Sequence, residues 1–276
     1  MKPLTLHDLL HRSLADIWHG RPSEETNAYN GATVLDILGS SRRASSVDNE
    51  AVLELVRQLK ARGLSPATVN RHLSTLSVML RLGQDLGEVK SLPRMRYQKE
   101  AEHRTRVLTF EEEDQLFGCL PTEHTVQLCC LLVETGLRLG EALKLDWDDI
   151  GGQELLVTQT KTGRPRRVPL TKRAFEALRA TPDGRTGPFQ TLTPSKVHHA
   201  WNRAKEAAGF HNDPELVPHA LRHTYASRLV QAGVDLVTVK TLLGHSNLQQ
   251  TMRYAHMSPG QATGAAKALE KLRGDQ

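Results

Sequence analysis

The sequence predicts a mainly α-helical protein with one small antiparallel β-sheet, split into a helical N-terminal unit and a larger α-rich C-terminal unit. Three observations carry that expectation. Apolar residues recur at helical spacing in both halves, as Val52, Leu53, Leu55, Val56 and Leu59 and again as Leu221, Tyr225, Leu229 and Val230. Strand character is confined to residues 155–158 and 166–169, either side of a turn bearing Gly163. Aromatic residues make up 4% of the chain, so the core has to come from Leu, Val and Ala carried on helices.

The first unit is expected over residues 1–92. Leu4, Leu6, Leu9, Leu10 and Leu14 lead to Ile17 and Trp18 at roughly helical spacing. The polar stretch from Gly20 to Gly31 reads as a loop running into a helix. Asp48 can cap a helix that continues through Lys60 and is closed by Gly63. Ser65-Pro66 opens the next helix, with Ser as N-cap and Pro in the first turn. Thr68, Asn70, Arg71 and Ser74 on that helix form a face without acids. Such a face suits a DNA groove or plain solvent equally well. Residues 93–106 carry Pro93, Arg94, Arg96 and Lys99 with little apolar periodicity, and read as a basic linker.

The second unit is expected over residues 107–258. Thr109 caps a helix whose first turn holds Glu111, Glu112 and Glu113, acids at the positive helix end. An apolar helix over residues 126–133 ends near Gly136. Arg138 follows at the start of another helix, a position unfavourable to the helix dipole. It fits either an anion or a pairing with Glu141. Lys161 sits at the hairpin tip, where an ammonium either waves in solvent or donates a proton to a leaving oxygen. A helix from about Pro194 through Ala208 carries Lys196 on an outer face. Pro218 starts a helix on which His219 and Arg222 project from one side. His245 and Tyr254 follow within one helical hairpin's length. Residues 259–276 form an Ala/Leu/Lys/Glu stretch suited to docking on a neighbouring subunit.

Thirty-six Lys+Arg against 31 Asp+Glu give a net charge of +5, which permits a polyanionic partner. Cys119, Cys129 and Cys130 make neither a disulfide framework nor a zinc spacing, as in a protein of the reducing cytosol. No apolar run approaches membrane-spanning length, so a cytoplasmic, DNA-associated location is expected and no membrane.

Arg138, Lys161, His219, Arg222 and His245 with Tyr254 need a common purpose. The chain has no acidic pair with metal-ligand spacing, no Gly-Lys-Ser/Thr phosphate loop and no Gly-x-Ser-x-Gly elbow, so two-metal phosphoryl chemistry is not indicated. A phosphodiester can be attacked without metal when arginines neutralise the pentavalent transition state and a side chain is the nucleophile. Tyrosine suits that task because its phenolate is also a good leaving group, so the covalent link is reversible.

Thr135-Gly136-Leu137-Arg138-Leu139-Gly140-Glu141, the Lys161 hairpin ending in Arg167-Val168-Pro169-Leu170, Pro218-His219-Ala220-Leu221-Arg222-His223-Thr224, Leu242-Leu243-Gly244-His245-Ser246 and Tyr254 together resemble the tyrosine recombinase (phage integrase) family. The likeness is firm over about residues 107–258 and looser over 1–92. It implies a helical, SAM-like core-binding domain and a catalytic domain of the tyrosine recombinase type. It further implies that Tyr254 attacks the scissile phosphate to give a 3′-phosphotyrosine and a free 5′-hydroxyl. Arg138 and Arg222 would clamp the non-bridging oxygens, and Lys161 would protonate the leaving 5′-oxygen. His219 would be a general acid/base, and His245 would support the phosphate and the tyrosine hydroxyl. No metal, ATP or other cofactor is implied.

The partners implied are a double-stranded DNA attachment site, a homo-tetramer on two duplexes and a DNA-bending or excision factor. Thr68, Arg71 and Lys196 are further candidates for DNA contact. Many phage integrases begin with an arm-binding domain, and this sequence opens almost directly on the core-binding unit, as in a simpler enzyme. Integration of a phage or mobile element is the expected role. A chromosome- or plasmid-dimer resolvase, a type IB topoisomerase and an architectural protein with a silent site are the alternatives.

Overall fold

The computed structural model describes residues 3–100, 105–158, 165–181 and 186–257. Lys161 and residues 259–276 lie outside the described residues. The chain divides into two units, residues 1–103 and 104–276.

In the first unit, helices α1 (Leu6–Ser13), α2 (Glu24–Leu38), α3 (Asn49–Ala61) and α4 (Pro66–Asp85) are joined by a π turn over Leu14–Trp18 and short loops. Their starts follow from capping chemistry. The Asp48 carboxylate accepts from the Ala51 N–H at 2.9 Å, and the Ser65 hydroxyl accepts from the Thr68 N–H at 3.3 Å, with Pro66 next in the first turn. Each such cap is worth about 1 kcal/mol. Helix α4 packs on α1, α2 and α3. Leu9, Val34, Leu55, Leu73 and Leu76 are fully buried between them, each burial contributing roughly 1.5–3 kcal/mol.

Two expectations for this unit change. The Gly20–Gly31 stretch is not a loop beyond its first residues, because α2 begins at Glu24. Its glycine and asparagines serve helix packing. A Cβ on Gly31 would stand 2.2 Å from Leu10 Cδ1, so the Leu10 side chain of α1 rests on the bare backbone of α2 and would have to turn aside for any larger residue. Asn27 accepts from the Thr75 hydroxyl of α4 at 2.8 Å, a cross-helix bond that composition cannot announce. The acid-free face of α4 is also not uniformly free. Asn70 exchanges hydrogen bonds with the backbone of Gln98, at 2.9 Å to its carbonyl and 2.7 Å from its N–H. The amide is thereby committed to holding residues 94–100 against α4, with Arg94 N–H bonded to Asn49 at 2.7 Å further back.

The second unit begins with α5 (Phe110–Gly118), α6 (Glu123–Thr135) and the single turn α7 (Leu139–Ala142). A sheet of β1 (Ile150–Gly151), β2 (Glu154–Val157) and β3 (Arg166–Pro169) follows, antiparallel throughout in the order β1-β2-β3. Leu155 faces Val168 and Val157 faces Arg166. Those four are buried while Glu154, Leu156, Arg167 and Pro169 alternate outward, the period-2 pattern of a sheet with one face on the core. Helices α8 (Lys172–Arg179), α9 (Pro194–Ala207), α10 (His219–Gln231), α11 (Leu236–Leu243) and α12 (Gln249–Met252) complete the unit. Helix α6 packs on α8 and α10, and Leu128, Leu131, Trp201, Phe189 and Leu221 are buried in the principal core. A smaller cluster joins Tyr225, Val230, Val239, Leu243 and Tyr254.

The acids of α5 separate by role. Glu112 completes a capping box with Thr109 and also binds Arg106 at 2.6 Å. Glu113 is buried between Arg173 and Arg228, so it is an ion-pair centre rather than a dipole-stabilising surface acid. Arg106, the last residue of the expected linker, is further held by Asp213 at 2.8 Å within this unit.

Helix α6 ends at Gly136 in the left-handed region, φ +64°. A Cβ there would lie 2.3 Å from Tyr225 Cδ1. Left-handed strain and overpacking act together, so Gly136→Ala is expected to destabilise the unit by about 2–4 kcal/mol. Denaturant unfolding of the two proteins measures this, and an unchanged midpoint would exclude the packing account. No helix among the described residues is long and apolar enough to cross a membrane.

Candidate active site

Four chain segments converge on one cleft of about 220 Å³. Arg138 comes from the start of α7. His219, Arg222 and His223 come from the first two turns of α10. His245 follows α11, and Gln250, Arg253 and Tyr254 come from α12 and its exit. The cleft is smaller than the roughly 300–1,000 Å³ of sites for drug-sized ligands and suits one small charged group. Three guanidiniums and three imidazoles line it, and no carboxylate does among the described residues.

Local folding explains how each group is aimed. Pro218 enters α10 with helical φ and ψ, which sets His219, Arg222 and His223 on the opening turns. Arg222 is 2% exposed. Its guanidinium donates to the Gly136 carbonyl and to the Leu243 carbonyl, both at 2.6 Å. The left-handed turn at Gly136 and the C-terminal end of α11 thus supply the two acceptors that fix it. Among the described residues no carboxylate lies within ion-pairing distance of Arg222. Burial first, then the positive charge of Arg138, presses its pKa down to about 9, which leaves it charged at neutral pH. A buried cation held only by carbonyl oxygens gains most when an anion arrives.

Arg138 is partly exposed. Its Nη1 donates to Glu141 Oε1 at 2.9 Å and its backbone N–H to Glu141 Oε2 at 2.9 Å. Glu141 is 6% exposed and also receives Arg166 Nη2 at 2.6 Å. The pairing with Glu141 and a place in the cleft therefore hold together, because one carboxylate orients Arg138 from behind.

His245 Nδ1 lies 2.9 Å from the Thr251 hydroxyl, which leaves Nε2 as its free ring nitrogen. Desolvation and then the charges of Arg222, Arg138 and Arg253 hold its pKa down at about 3. The same causes in the order burial, Arg222, Arg138 and Arg253 lower that of His219. The imidazoles are therefore neutral at pH 7 and able to accept as well as donate. Tyr254 is 1% exposed, packed in the cluster with Tyr225 and Leu243. Burial raises its pKa, and Arg253 and Arg222 work against that rise.

The structure brings together five of the residues singled out from sequence: Arg138, His219, Arg222, His245 and Tyr254. Lys161 lies outside the described residues. Thr68 and Arg71 belong to the first unit. Thr68 is half-buried with its hydroxyl 3.0 Å from that of Ser65, and Arg71 is exposed one turn on. Lys196 is exposed on α9, donates to the Thr191 carbonyl at 3.2 Å and does not line the cleft.

Sequence reasoning missed His223, whose Nδ1 lies 2.6 Å from the Tyr254 hydroxyl. The signal was available: His219 and His223 are four residues apart on one helix, hence on one face. It also missed Arg166 and the buried part of Glu141, which meet across 25 residues of chain.

Residues 106–261 match the phage integrase family. The integrase of Escherichia phage 186 is 31% identical over 222 residues, covering 78% of this chain and 63% of its own length. The tyrosine recombinase XerD of Caulobacter vibrioides is 30% identical over 237 residues, covering 76% of this chain and 77% of its own. The chain therefore spans a little under two thirds of the phage 186 relative and most of the XerD relative. Among solved structures, the Tn1549 transposon integrase (residues 82–397) in complex with circular intermediate DNA superposes with a TM-score of 0.77 at 19% identity, over 98% of this chain and all of that one. A lambda integrase (residues 75–356) dimer bound to a core site gives 0.74 at 22% identity, over 90% of this chain and 97% of that one. At such identities these likenesses speak for the fold, while the family match and the XerD relative establish kinship: the chain belongs to the phage integrase family of tyrosine recombinases.

Proposed function

We propose that the protein is a site-specific DNA recombinase that cuts and rejoins DNA strands through a 3′-phosphotyrosine intermediate. The observation that carries this reading is a buried Arg222, with no carboxylate partner among the described residues, beside a buried tyrosine. A phosphodiester entering the cleft supplies the anion that Arg222 lacks and meets the one phenol at its wall.

In this reading Arg138 and Arg222 hold the two non-bridging oxygens and offset the charge that grows on them in the pentavalent transition state. The Tyr254 oxygen attacks phosphorus in line with the 5′-oxygen. The 5′-oxygen leaves as a hydroxyl, protonated by Lys161. His245 donates from Nε2 to the phosphate, and His219 exchanges protons at the cleft mouth. A 5′-hydroxyl of another strand then displaces the phenolate, and the bond energy is conserved without ATP.

Residues 1–92 are read as the core-binding domain, with Thr68 and Arg71 toward DNA, and 93–106 as the linker. Lys196 is read as a phosphate contact of the catalytic domain, residues 107–258. Residues 259–276 are read as docking on a neighbouring subunit. Related integrases have been solved on DNA as a dimer and as a tetramer on a Holliday junction, which supports a homo-tetramer on two attachment-site duplexes. Integration of a phage or mobile element, with a bending or excision factor, is the favoured role. The phage 186 and phage P2 integrases among the relatives support it.

The test is a suicide substrate: attachment-site duplex nicked beside the cleavage point, incubated with the protein in chelator. A protein–DNA adduct stable on a denaturing gel is expected. Its absence on DNA that the protein binds would remove the recombinase reading.

A further inference from the structure

His219 and His223 lie one turn apart on α10, and their rings meet edge to face with 4.8 Å between centroids. They face different things. His219 opens to the cleft, whereas His223 is half-buried and turns Nδ1 onto the Tyr254 hydroxyl at 2.6 Å. Among the described residues no other side chain hydrogen-bonds to that hydroxyl.

The groups around His223 decide which partner donates. Its own helix brings His219 and Arg222, and the exit of α12 brings Arg253 and Tyr254. Across the cleft stand Arg138 and His245. All the charged groups among these are cations. Burial foremost, then His219, Arg253 and Arg222, hold the His223 pKa down at about 4, so the ring is neutral at pH 7. A phenol whose own pKa is raised keeps its proton and donates it. Nδ1 is therefore the acceptor and Nε2 carries the ring hydrogen.

We infer that His223 is the base that takes the Tyr254 proton as the phenolic oxygen attacks the phosphate. This rests on the reading of Tyr254 as nucleophile. In the step, the proton passes from Oη to Nδ1. A lone pair of Oη forms the Oη–P bond, and the P–O5′ bond breaks with its electron pair going to the 5′-oxygen. That oxygen takes a proton from the Lys161 ammonium. Rejoining reverses each transfer: the attacking 5′-hydroxyl gives its proton to Lys161, and the His223 imidazolium returns its proton to the departing phenolate. Atoms and charge balance over the cycle.

The cations that make His223 a weak base in the empty cleft also supply its switch. A phosphodiester between Arg138 and Arg222 brings a negative charge within reach of the ring, and an opposite charge within about 4–6 Å favours the protonated imidazole. The base gains strength when DNA is bound and the phosphate is in place. Tyr254 stays protonated otherwise, which protects the free enzyme from idle chemistry.

The experiment measures the single-turnover rate of adduct formation on the suicide substrate between about pH 5 and 9 for wild type, His223→Gln and His223→Ala. Glutamine keeps an acceptor for the hydroxyl, and so its orientation, but cannot take the proton. Its rate at neutral pH is expected to fall roughly 10²-fold or more, the usual yield of a positioned base. The wild-type acid limb should give way to a rate that rises with hydroxide throughout. Free imidazole in the buffer should restore part of the rate to His223→Ala and add nothing to wild type. Gel shift and thermal unfolding report whether the variants bind and fold, and if the alanine protein does not fold the glutamine profile decides. A glutamine variant with wild-type rate and profile overturns the inference while leaving Tyr254 as nucleophile. A wild-type protein that binds the DNA and forms no adduct overturns both.

Discussion

Tyr254→Phe protein is expected to bind attachment-site DNA as the wild type does and to form no covalent adduct with it. The ring is 1% exposed and packs among Tyr225, Val239 and Leu243, contacts that phenylalanine retains. The variant loses the hydroxyl and with it the 2.6 Å bond to His223. A stability cost of about 1 kcal/mol is the ordinary value of such a bond, too small to unfold a domain. The chemical cost is of another order. Loss of a nucleophile from a preorganised site removes on the order of 10⁶ in rate. Among the described residues no neighbouring hydroxyl stands in for it. Thr251 is fully buried and bonded to His245, and the Tyr225 hydroxyl belongs to a ring wedged over Gly136. The measurement pairs a gel shift with the denaturing-gel adduct assay. Equal shifts with a band only for wild type identify the nucleophile. An adduct of equal yield from Tyr254→Phe would assign the attack to a different residue.

The parts of this protein that were legible in sequence are those decided by neighbours along the chain. Ser65-Pro66, Asp48 and Thr109 announce helix starts because a cap is a bond between residues two or three apart. The sheet is legible because β2 and β3 alternate in burial with period 2. The cleft residues could be assembled in part because two of them, His219 and Arg222, sit one turn apart at the opening of one helix. What was missed depends on distance through space. Helix α2 was obscured by residues that disfavour helices locally, Asn27, Asn30 and Gly31, whose use is contact with α4 and α1. Asn70 belongs by sequence to a face open to a DNA groove or to solvent, and the backbone of Gln98 claims it instead. Glu113 looked like a helix-end acid, although Arg173 and Arg228 come to it from 60 and 115 residues away. No periodicity encodes such meetings.

Glu141→Gln should separate the support of the cleft from its chemistry. Both carboxylate oxygens of Glu141 are used: Oε1 by Arg138 Nη1 at 2.9 Å and Arg166 Nη1 at 3.1 Å, Oε2 by the Arg138 N–H at 2.9 Å and Arg166 Nη2 at 2.6 Å. Arg166 is 8% exposed, and its Nε donates to the Leu242 carbonyl at 2.8 Å, so it ties β3 to α11. Glutamine is nearly isosteric but offers one acceptor oxygen and presents an N–H₂ to a guanidinium. It leaves Arg166 a buried cation without its counter-charge, a fault that typically costs about 3–5 kcal/mol. Its pH dependence identifies the cause. Burial alone would raise the Glu141 pKa, but the Arg166 hydrogen bonds, the Arg138 N–H and both positive charges outweigh it and hold the carboxyl below its ordinary 4.5. A depressed native pKa contributes stability that is present above the unfolded-state value and lost as pH falls through the native one. The gap between wild type and Glu141→Gln should therefore be constant from neutral pH down to about 5 and close below 4.5, as the wild-type carboxyl itself becomes neutral. Denaturant unfolding across that range measures it, and a gap that persists undiminished to pH 2 would rule out the ion pair as its source. In the adduct assay, at a temperature where both proteins are folded, Arg138 has lost its orienting partner while Arg222 keeps its two carbonyls. Cleavage should then slow without being abolished, leaving the variant between wild type and Tyr254→Phe.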